Sequence, residues 1–210
     1  RADGHDFFNR TLADRGILSL WNRSHELPDE VLPVILVNDT LEAMQRLAKY
    51  YLESFHPLVV AVTGSNGKTS TKDILSTVLS RKYRVSKTEG NLNSDIGLPL
   101  TILRMKNDTE VAVLEMGIDH FGDMEKMSRI APPTIGIVTS IGEAHLDDLL
   151  TREGITKAKL EFLEHMENLG VVIYDGDEPL LEAELHRQNP PFKRIPVGFS
   201  ANCTYIAELV

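Results

Sequence analysis

Short apolar runs alternate with amphipathic stretches along most of the chain, and this alternation predicts strands followed by helices. The predicted strands after residue 57 are LVVAVTG (58–64), EVAVLEMG (110–117), TIGIVTSI (134–141), GVVIYDG (170–176) and FKRIPVGF (192–199). The predicted helices are KTSTKDILSTVLSRK (68–82), DMEKMSRIA (123–131), REGITKAKLEFLEHM (152–166) and EPLLEAELHRQ (178–188). Apolar strands that alternate with helices indicate an α/β fold, with a mostly parallel central sheet and helices on both faces.

The first quarter of the chain has a less regular pattern and is predicted to be part of a smaller α/β domain. HDFFNRTLADRG (5–16) indicates a helix that ends at Gly16, and ILSLWN (17–22) and PVILVND (33–39) are typical of strands. TLEAMQRLAKYYLESF (40–55) places its apolar residues on one helical face, with Thr40 as the expected N-cap. His56-Pro57 then breaks the helix, so a domain boundary is expected at residues 54–58, between domains 1–55 and 56–210.

Composition narrows the classes of partner. The formal net charge is −9 and no basic cluster is present, which argues against nucleic acid or an anionic membrane as the main partner. No apolar run approaches the roughly 20 residues that span a bilayer. The single cysteine, Cys203, excludes a disulfide framework within the chain and fits a reducing compartment. The sequence begins without Met or a signal peptide, and we expect it to be part of a longer protein.

The segment VTGSNGKTSTKD (62–73) joins the first predicted strand after residue 57 to a helix, and it has the composition of a phosphate-binding loop. Gly64 and Gly67 allow close approach of the backbone to an anion, while the helix N-terminus adds partial positive charge. Lys68 can reach the β- and γ-phosphates of a nucleotide, and Thr69 can bind Mg²⁺. Val62 stands where the common longer loop has a glycine, so the spacing indicates the shorter form Gly-x-x-Gly-Lys-Thr.

Two further strand ends carry candidate metal ligands, because the carboxyl ends of parallel strands meet at one edge of the sheet. Glu115 ends the strand VLEMG and could approach a magnesium ion held by Thr69. His145 follows the next strand as a possible second-metal ligand, although imidazole is also common at protein surfaces. Lys157 and Lys159 cannot share a helical face, so one is expected to point outward and the other toward the site. A lysine beside a metal requires that its positive charge be removed or paired.

The polar loop TEGNLNSDIGLPL (88–100) precedes a helix that contains a proline near its start. Its asparagines, Asn91 and Asn93, could bind hydroxyls or carbonyls of a ligand, and a purely structural loop explains them equally well. Ser94 and Asp95 follow them in the same loop.

Taken in order and at these separations, four segments resemble the Mur ligases. They are VTGSNGKTSTKDIL, TEGNLNSDIGLPLTIL, EMG and IGEAHLDDLLTREGITKAKLEF, and the opening DGHDF is similar to the segment that closes the family's N-terminal domain. The second and fourth segments are most similar to the members that add D-alanyl-D-alanine. The resemblance implies that 1–55 is the latter part of the UDP-sugar-binding domain and that 56–210 is an incomplete central ATP-binding domain. The resemblance also implies that the family's C-terminal domain lies outside this sequence.

The resemblance also implies roles for individual residues. Gly64, Ser65, Asn66, Gly67, Lys68, Thr69 and Ser70 match the ATP loop, and Glu115 matches the acidic magnesium ligand. His145 matches the histidine of a second metal site. Lys159 matches a lysine that is carbamylated in this family, with Lys157 as the alternative. A carbamate is an anion, so this modification would replace the positive charge of the lysine with a negative charge that can approach magnesium. The implied cofactors are therefore ATP, two Mg²⁺ ions and a lysine carbamate, and the loop from Asn91 to Asp95 lies on the muramoyl-peptide side.

The implied activity is ATP-dependent amide ligation in a bacterial cytoplasm, by a monomer with small-molecule substrates. UDP-N-acetylmuramoyl-tripeptide would be activated as an acyl phosphate, and D-alanyl-D-alanine would then attack the acyl carbon. Lys68, His145 and Lys159 are the expected catalytic residues. Two alternatives stay open: another Mur-type or folylpolyglutamate-type ligase, and an ATP-binding module without ligase activity. The 210-residue chain is expected to be inactive without the absent domains.

Overall fold

The computed structural model describes residue 5 and residues 18–27, 33–142 and 151–208. Its contacts divide the chain into two compact units, Arg1–Leu47 and Ala48–Val210. The helix expected over residues 5–16 lies outside the described residues apart from residue 5.

The first unit contains a short parallel pair of strands, β1 (Ser19–Asn22) and β2 (Val34–Val37). Helix α1 (Thr40–Phe55) follows. Its N-cap is Asp39 and not the expected Thr40, since Asp39 Oδ1 accepts a hydrogen bond of 2.8 Å from the Glu42 N–H.

The division between the units falls within α1, earlier than the expected boundary at residues 54–58. Ala48 and Leu52, in the second half of α1, are buried in the hydrophobic core of the second unit. Because this half of the helix packs there, it belongs with the second unit by its contacts. The assignment of 1–55 and 56–210 to two domains of the family stays a prediction.

The second unit is built on a seven-stranded sheet in which every neighbouring pair is parallel. In spatial order its strands are β4 (Val85–Lys87), β5 (Val111–Glu115), β3 (Leu58–Thr63), β6 (Ile135–Val138), β7 (Val171–Asp175), β8 (Lys193–Gly198) and β9 (Tyr205–Ile206). The helices are α2 (Lys68–Leu79), α3 (Gly97–Leu103), α4 (Asp123–Ile130), α5 (Arg152–Leu160), a 3₁₀ helix (Glu161–His165) and α6 (Pro179–Gln188). The predicted α/β class with a parallel central sheet is confirmed.

Alternate side chains of β3 enter two separate cores, which explains why this strand is apolar throughout. Val59 and Ala61 join the larger core, which also contains residues of α3, α4, α5 and α6. Val60 and Val62 join the smaller core, against which Leu75 of α2 packs. Helices therefore cover both faces of the sheet.

Three elements differ from the sequence expectation. The helix predicted over 152–166 is α-helical only to Leu160 and continues as the 3₁₀ helix. The edge strands β4 and β9 were not predicted, because they have only three and two residues, too few to show a period of alternation. Among the described residues, no helix has both the length and the apolar character needed to cross a membrane.

The order of the strands identifies the edge of the sheet where a ligand site is expected. The chain passes from β3 outward to β4 and back to β5, and then crosses to β6 on the other side of β3. This reversal makes the carboxyl end of β3 a topological switch point, where open α/β sheets leave a crevice between loops.

Candidate functional site

The loop after β3 is held in shape by the end of β6. Ser65 N–H donates to the Ser140 carbonyl and Asn66 N–H to Ser140 Oγ, both at 2.9 Å. The Thr139 hydroxyl donates to the Asn66 carbonyl at 2.5 Å, and its Oγ1 also lies 3.1 Å from the Thr63 carbonyl oxygen. Gly64 has a φ of +144°, and a Cβ at this position would overlap Thr139 Oγ1. The first glycine of the loop is therefore required by both backbone conformation and space.

Helix α2 begins directly after Gly67, which has a φ of +80°. Thr71 N–H donates to the Gly67 carbonyl, so the N–H groups of the three preceding residues lie in the first turn, where no intrahelical partner is available. Lys68 folds back over the loop, with its Nζ 2.8 Å from the Gly64 carbonyl. Such a helix N-terminus, with its partial positive charge and unpaired donors, suits a bound phosphate group.

A cavity of about 360 Å³ lies against this loop. It is lined by Ser65, Asn66, Gly67, Lys68, Thr69, Ser70, Gly90, Asn91, Asn93 and Glu115. The structure thus brings together most of the predicted loop, two of the predicted loop asparagines and the predicted acidic residue.

Glu115, at the carboxyl end of β5, is 2% exposed and is held by several donors. Thr69 Oγ1 lies 3.0 Å from its Oε2, and Asn93 Nδ2 lies 2.9 Å from its Oε1. The Thr69 hydroxyl donates to the carboxylate, which leaves the lone pairs of the hydroxyl oxygen available to a cation. The sequence predicted that Glu115 would approach a magnesium ion held by Thr69, and in the structure the two side chains are in direct contact.

A second lysine of α2 lies beside the same carboxylate. Lys72 is 2% exposed, and its Nζ donates to the Thr88 carbonyl at 2.9 Å. The same Nζ is 3.7 Å from Glu115 Oε2 and 3.5 Å from Asp73 Oδ1. Thr88 also accepts at its Oγ1 the Glu115 N–H, at 2.9 Å.

Lys157 and Lys159 have opposite environments, as their spacing predicted. Lys157 is exposed, whereas Lys159 is 2% exposed and has no hydrogen bond or ion pair with any of the described residues. Burial, with a further contribution from the nearby charge of Lys68, lowers the pKa of Lys159 to about 8. Among these two, Lys159 is thus the lysine that faces inward and lies close to the loop.

The other predicted residues that the structure describes do not line the cavity. Gly64 begins the loop but is not among the cavity-lining residues. Ser94 Oγ accepts the Gly97 N–H at 3.2 Å at the start of α3, which is a structural role. Asp95 is half-buried and is not among the cavity-lining residues. His145 lies outside the described residues.

Sequence reasoning missed Lys72, Thr88, Thr139 and Ser140 as parts of the site. A signal existed for Lys72, since it is four residues after Lys68 and three after Thr69 and therefore lies on the same helical face. No local signal marks Thr139 or Ser140, because their role depends on the pairing of β6 with β3.

The oxygen donors of the cavity fit a magnesium ion. Mg²⁺ is commonly bound through one or two protein oxygens together with nucleotide phosphates, and Thr69 and Glu115 offer such a pair. The described part of the chain has no group of three or more His, Cys, Asp or Glu residues that could enclose a metal without help from a ligand.

The chain is similar to Mur ligases both in sequence and in structure. The Mur ligase middle domain family matches residues 62–208. The UDP-N-acetylmuramoyl-tripeptide–D-alanyl-D-alanine ligase of Bacillus subtilis is 51% identical over 182 residues, which is 87% of this chain and 40% of that relative. The crystal structure of MurF ligase from Thermotoga maritima in complex with ADP is 34% identical, with a TM-score of 0.85, and the match covers 95% of this chain and 45% of that one.

A crystal structure of MurF from Acinetobacter baumannii is similar to the same extent. It is 31% identical with a TM-score of 0.86, and the match covers 94% of this chain and 43% of that one. The chain therefore spans about two fifths of the length of its relatives.

Proposed function

The chain belongs to the Mur ligase family, and we propose that it is part of an ATP-dependent ligase that joins D-alanyl-D-alanine to UDP-N-acetylmuramoyl-tripeptide. The main support for this proposal is the contact of Thr69 with Glu115 beneath a phosphate-type loop. The chain that contains it is 51% identical in sequence to the Bacillus subtilis ligase over the matched residues. The whole reaction requires the length of the relatives, of which this chain covers about two fifths.

In this proposal the loop binds the phosphates of ATP. The N–H groups of the first turn of α2 face the β- and γ-phosphates, and Lys68 turns from the Gly64 carbonyl toward the transferred group. The tripeptide carboxylate attacks the γ-phosphorus, and ADP leaves. The amine of D-alanyl-D-alanine then attacks the acyl carbon of the acyl phosphate, and inorganic phosphate leaves with release of a proton.

The first step brings two anions together, and their repulsion is a large part of the barrier. Lys68 and the helix N-terminus neutralise part of this charge in a fixed geometry, which is electrostatic stabilisation. Bound magnesium would supply further neutralisation of the phosphate oxygens. Thr69 and Glu115 are the proposed protein contacts of one ion, and His145 is proposed at a second.

Lys159 is proposed to carry a carbamate. Its pKa of about 8 leaves a far larger neutral fraction at neutral pH than an ordinary lysine has, and neutral amines react with CO₂. In that reaction the nitrogen bonds to the carbon of CO₂ and loses a proton. The product is an anion, which could pair with the positive charge of Lys68 or of a metal ion. The ammonium form of Lys159, in contrast, is buried and has no partner among the described residues.

Asn91 and Asn93 are proposed to lie on the muramoyl-peptide side of the cavity. Asn93 has a further role visible in its contacts, because its side chain holds Glu115 and its carbonyl accepts the Gly117 N–H at 2.8 Å. A ligand that binds this loop would thereby act on the same carboxylate that faces the phosphate loop.

The test is phosphate release by the full-length protein with ATP, UDP-N-acetylmuramoyl-tripeptide and a panel of amines. D-alanyl-D-alanine is expected to support release, and single amino acids or glutamate with a folate are not. Lys68→Ala is expected to abolish release with little change in melting temperature, and the exposed Lys193→Ala serves as a matched control. A preference for another amine would assign a sister ligase, and nucleotide binding without release in any mixture would favour a binding module.

A further inference from the structure

Lys72 is a buried cation for which the proposed reaction has no use. It lies outside the residues that line the cavity, and its side chain is 3% exposed. Its Nζ has three oxygen neighbours, the Thr88 carbonyl at 2.9 Å, Asp73 Oδ1 at 3.5 Å and Glu115 Oε2 at 3.7 Å.

Of the two carboxylates, Asp73 already has a closer cation. Lys87 Nζ lies 2.8 Å from Asp73 Oδ1, and this hydrogen bond lowers the pKa of Asp73. Glu115 has neutral donors in Thr69 and Asn93, so Lys72 is the cation that balances its buried charge. A buried carboxylate without such a cation would be strongly unfavourable.

The position of Lys72 has a consequence for metal binding. Among the described residues that line the cavity, Glu115 is the only carboxylate, and Lys72 lies beside the oxygen that also contacts Thr69. A divalent cation at Thr69 and Glu115 would therefore be repelled by an ammonium group a few ångströms away. Nucleotide phosphates would reverse the balance by adding several negative charges.

We propose that Lys72 acts as the resident counter-ion of Glu115 in the nucleotide-free protein, so that the metal enters with ATP and does not bind beforehand. The proposal rests on the placement of a magnesium ion at Thr69 and Glu115 in the proposed function. Lys72 is a positioning residue here, since it acts through Glu115 and does not line the cavity.

The test measures binding of Mn²⁺, a paramagnetic substitute for Mg²⁺, to the full-length protein without nucleotide, by electron paramagnetic resonance. Lys72→Met is expected to tighten Mn²⁺ binding about tenfold or more, because an ammonium group at this distance repels a divalent ion even with strong dielectric screening. Lys72→Arg keeps the charge and is expected to bind Mn²⁺ as weakly as the unaltered protein. Lys82→Met, which removes an exposed lysine just after α2, is the matched control.

Adding Glu115→Gln to Lys72→Met is expected to remove the gain in affinity. If Lys72→Met does not fold, Lys72→Gln makes the same test, since its amide can still donate to the Thr88 carbonyl. Unchanged or weaker Mn²⁺ binding in Lys72→Met, or equal tightening in Lys72→Arg, would overturn the proposal.

The proposed metal placement is tested separately with Mn²⁺ and ADP. Glu115→Gln should weaken Mn²⁺ binding in the presence of ADP. No weakening would refute that placement and the role of Lys72 with it, whereas weakening combined with an inert Lys72→Met would refute the role of Lys72 alone.

Discussion

Replacement of Gly64 by alanine tests how the phosphate loop is shaped. The new methyl group would overlap Thr139 Oγ1 and come within 3.0 Å of the Ser140 N–H nitrogen, at a φ of +144° that L-residues rarely adopt. The backbone conformation alone costs about 1–3 kcal/mol. Displacing Thr139 would also weaken the hydrogen bond that its hydroxyl donates to the Asn66 carbonyl, worth about 1 kcal/mol. We therefore expect Gly64→Ala to destabilise the folded protein by about 2–4 kcal/mol.

The assay is thermal unfolding of the full-length protein together with equilibrium binding of ATP. Gly122→Ala is the matched control, because Gly122 has a φ of +84° but a Cβ there would meet no atom within 4 Å. This control should lose only the conformational cost of about 1 kcal/mol and leave ATP affinity unchanged. Gly64→Ala should bind ATP at least about tenfold more weakly, as the loop cannot keep its shape.

A double-mutant cycle separates the overlap from the backbone strain. Thr139→Ala removes the atom that the new methyl group meets, so in the Gly64→Ala background it should recover part of the lost stability, although by itself it is destabilising. Equal melting temperatures of Gly64→Ala and Gly122→Ala, or additive effects of Gly64→Ala and Thr139→Ala, would refute the reasoning.

Three further predictions concern the buried Lys159, the hydrogen bond from Asn93 to Glu115, and the packing of Gly136 against Phe162. The pKa of Lys159 is lowered to about 8 from 10.5, so its charged form destabilises the fold below pH 8, and this loss is relieved as pH rises from 8 to 10.5. Lys159→Met should accordingly raise the free energy of unfolding at pH 7 by up to roughly 3 kcal/mol in CO₂-free buffer, and this gain should vanish near pH 10.5. Urea unfolding across this pH range measures the gain, and a gain independent of pH would contradict the reasoning. Asn93→Ala should weaken ATP-dependent turnover and raise the Mg²⁺ concentration needed for it, because Glu115 Oε1 loses its donor; a normal Mg²⁺ dependence would count against that contact. Gly136→Ala should lower stability by about 1–3 kcal/mol through overlap with the Phe162 ring, and Phe162→Leu should relieve it; chemical denaturation measures both.

The fold was largely predictable because its strands are apolar on both faces. β3, β5, β6 and β7 each gave a continuous apolar run, and the helix between β3 and β4 began at a glycine-rich loop. β4 and β9 could not be predicted, since strands of two or three residues at a sheet edge are defined by their pairing and not by a pattern of their own.

The placement of Thr69 and Glu115 at one edge of the sheet was predictable for a related reason. Parallel strands place their carboxyl ends at the same edge, and the pairing of β3 with β5 then makes the two side chains neighbours. The support of the loop by Thr139 and Ser140 could not be read in the same way. Serine and threonine after a strand are too common to signal a contact, and only the register of β6 against β3 brings these two to the loop.

The lysines show which electrostatic properties of the site cannot be predicted from the sequence. The spacing of Lys157 and Lys159 required that they face opposite ways, but not which of them is buried, and that was decided by the packing of α5 around Ile155 and Ala158. Lys72 could have been placed on the face of Lys68 from spacing alone. Its importance follows only from the burial of Glu115, because an exposed carboxylate would need no cation and would leave a lysine at this position without effect on a metal.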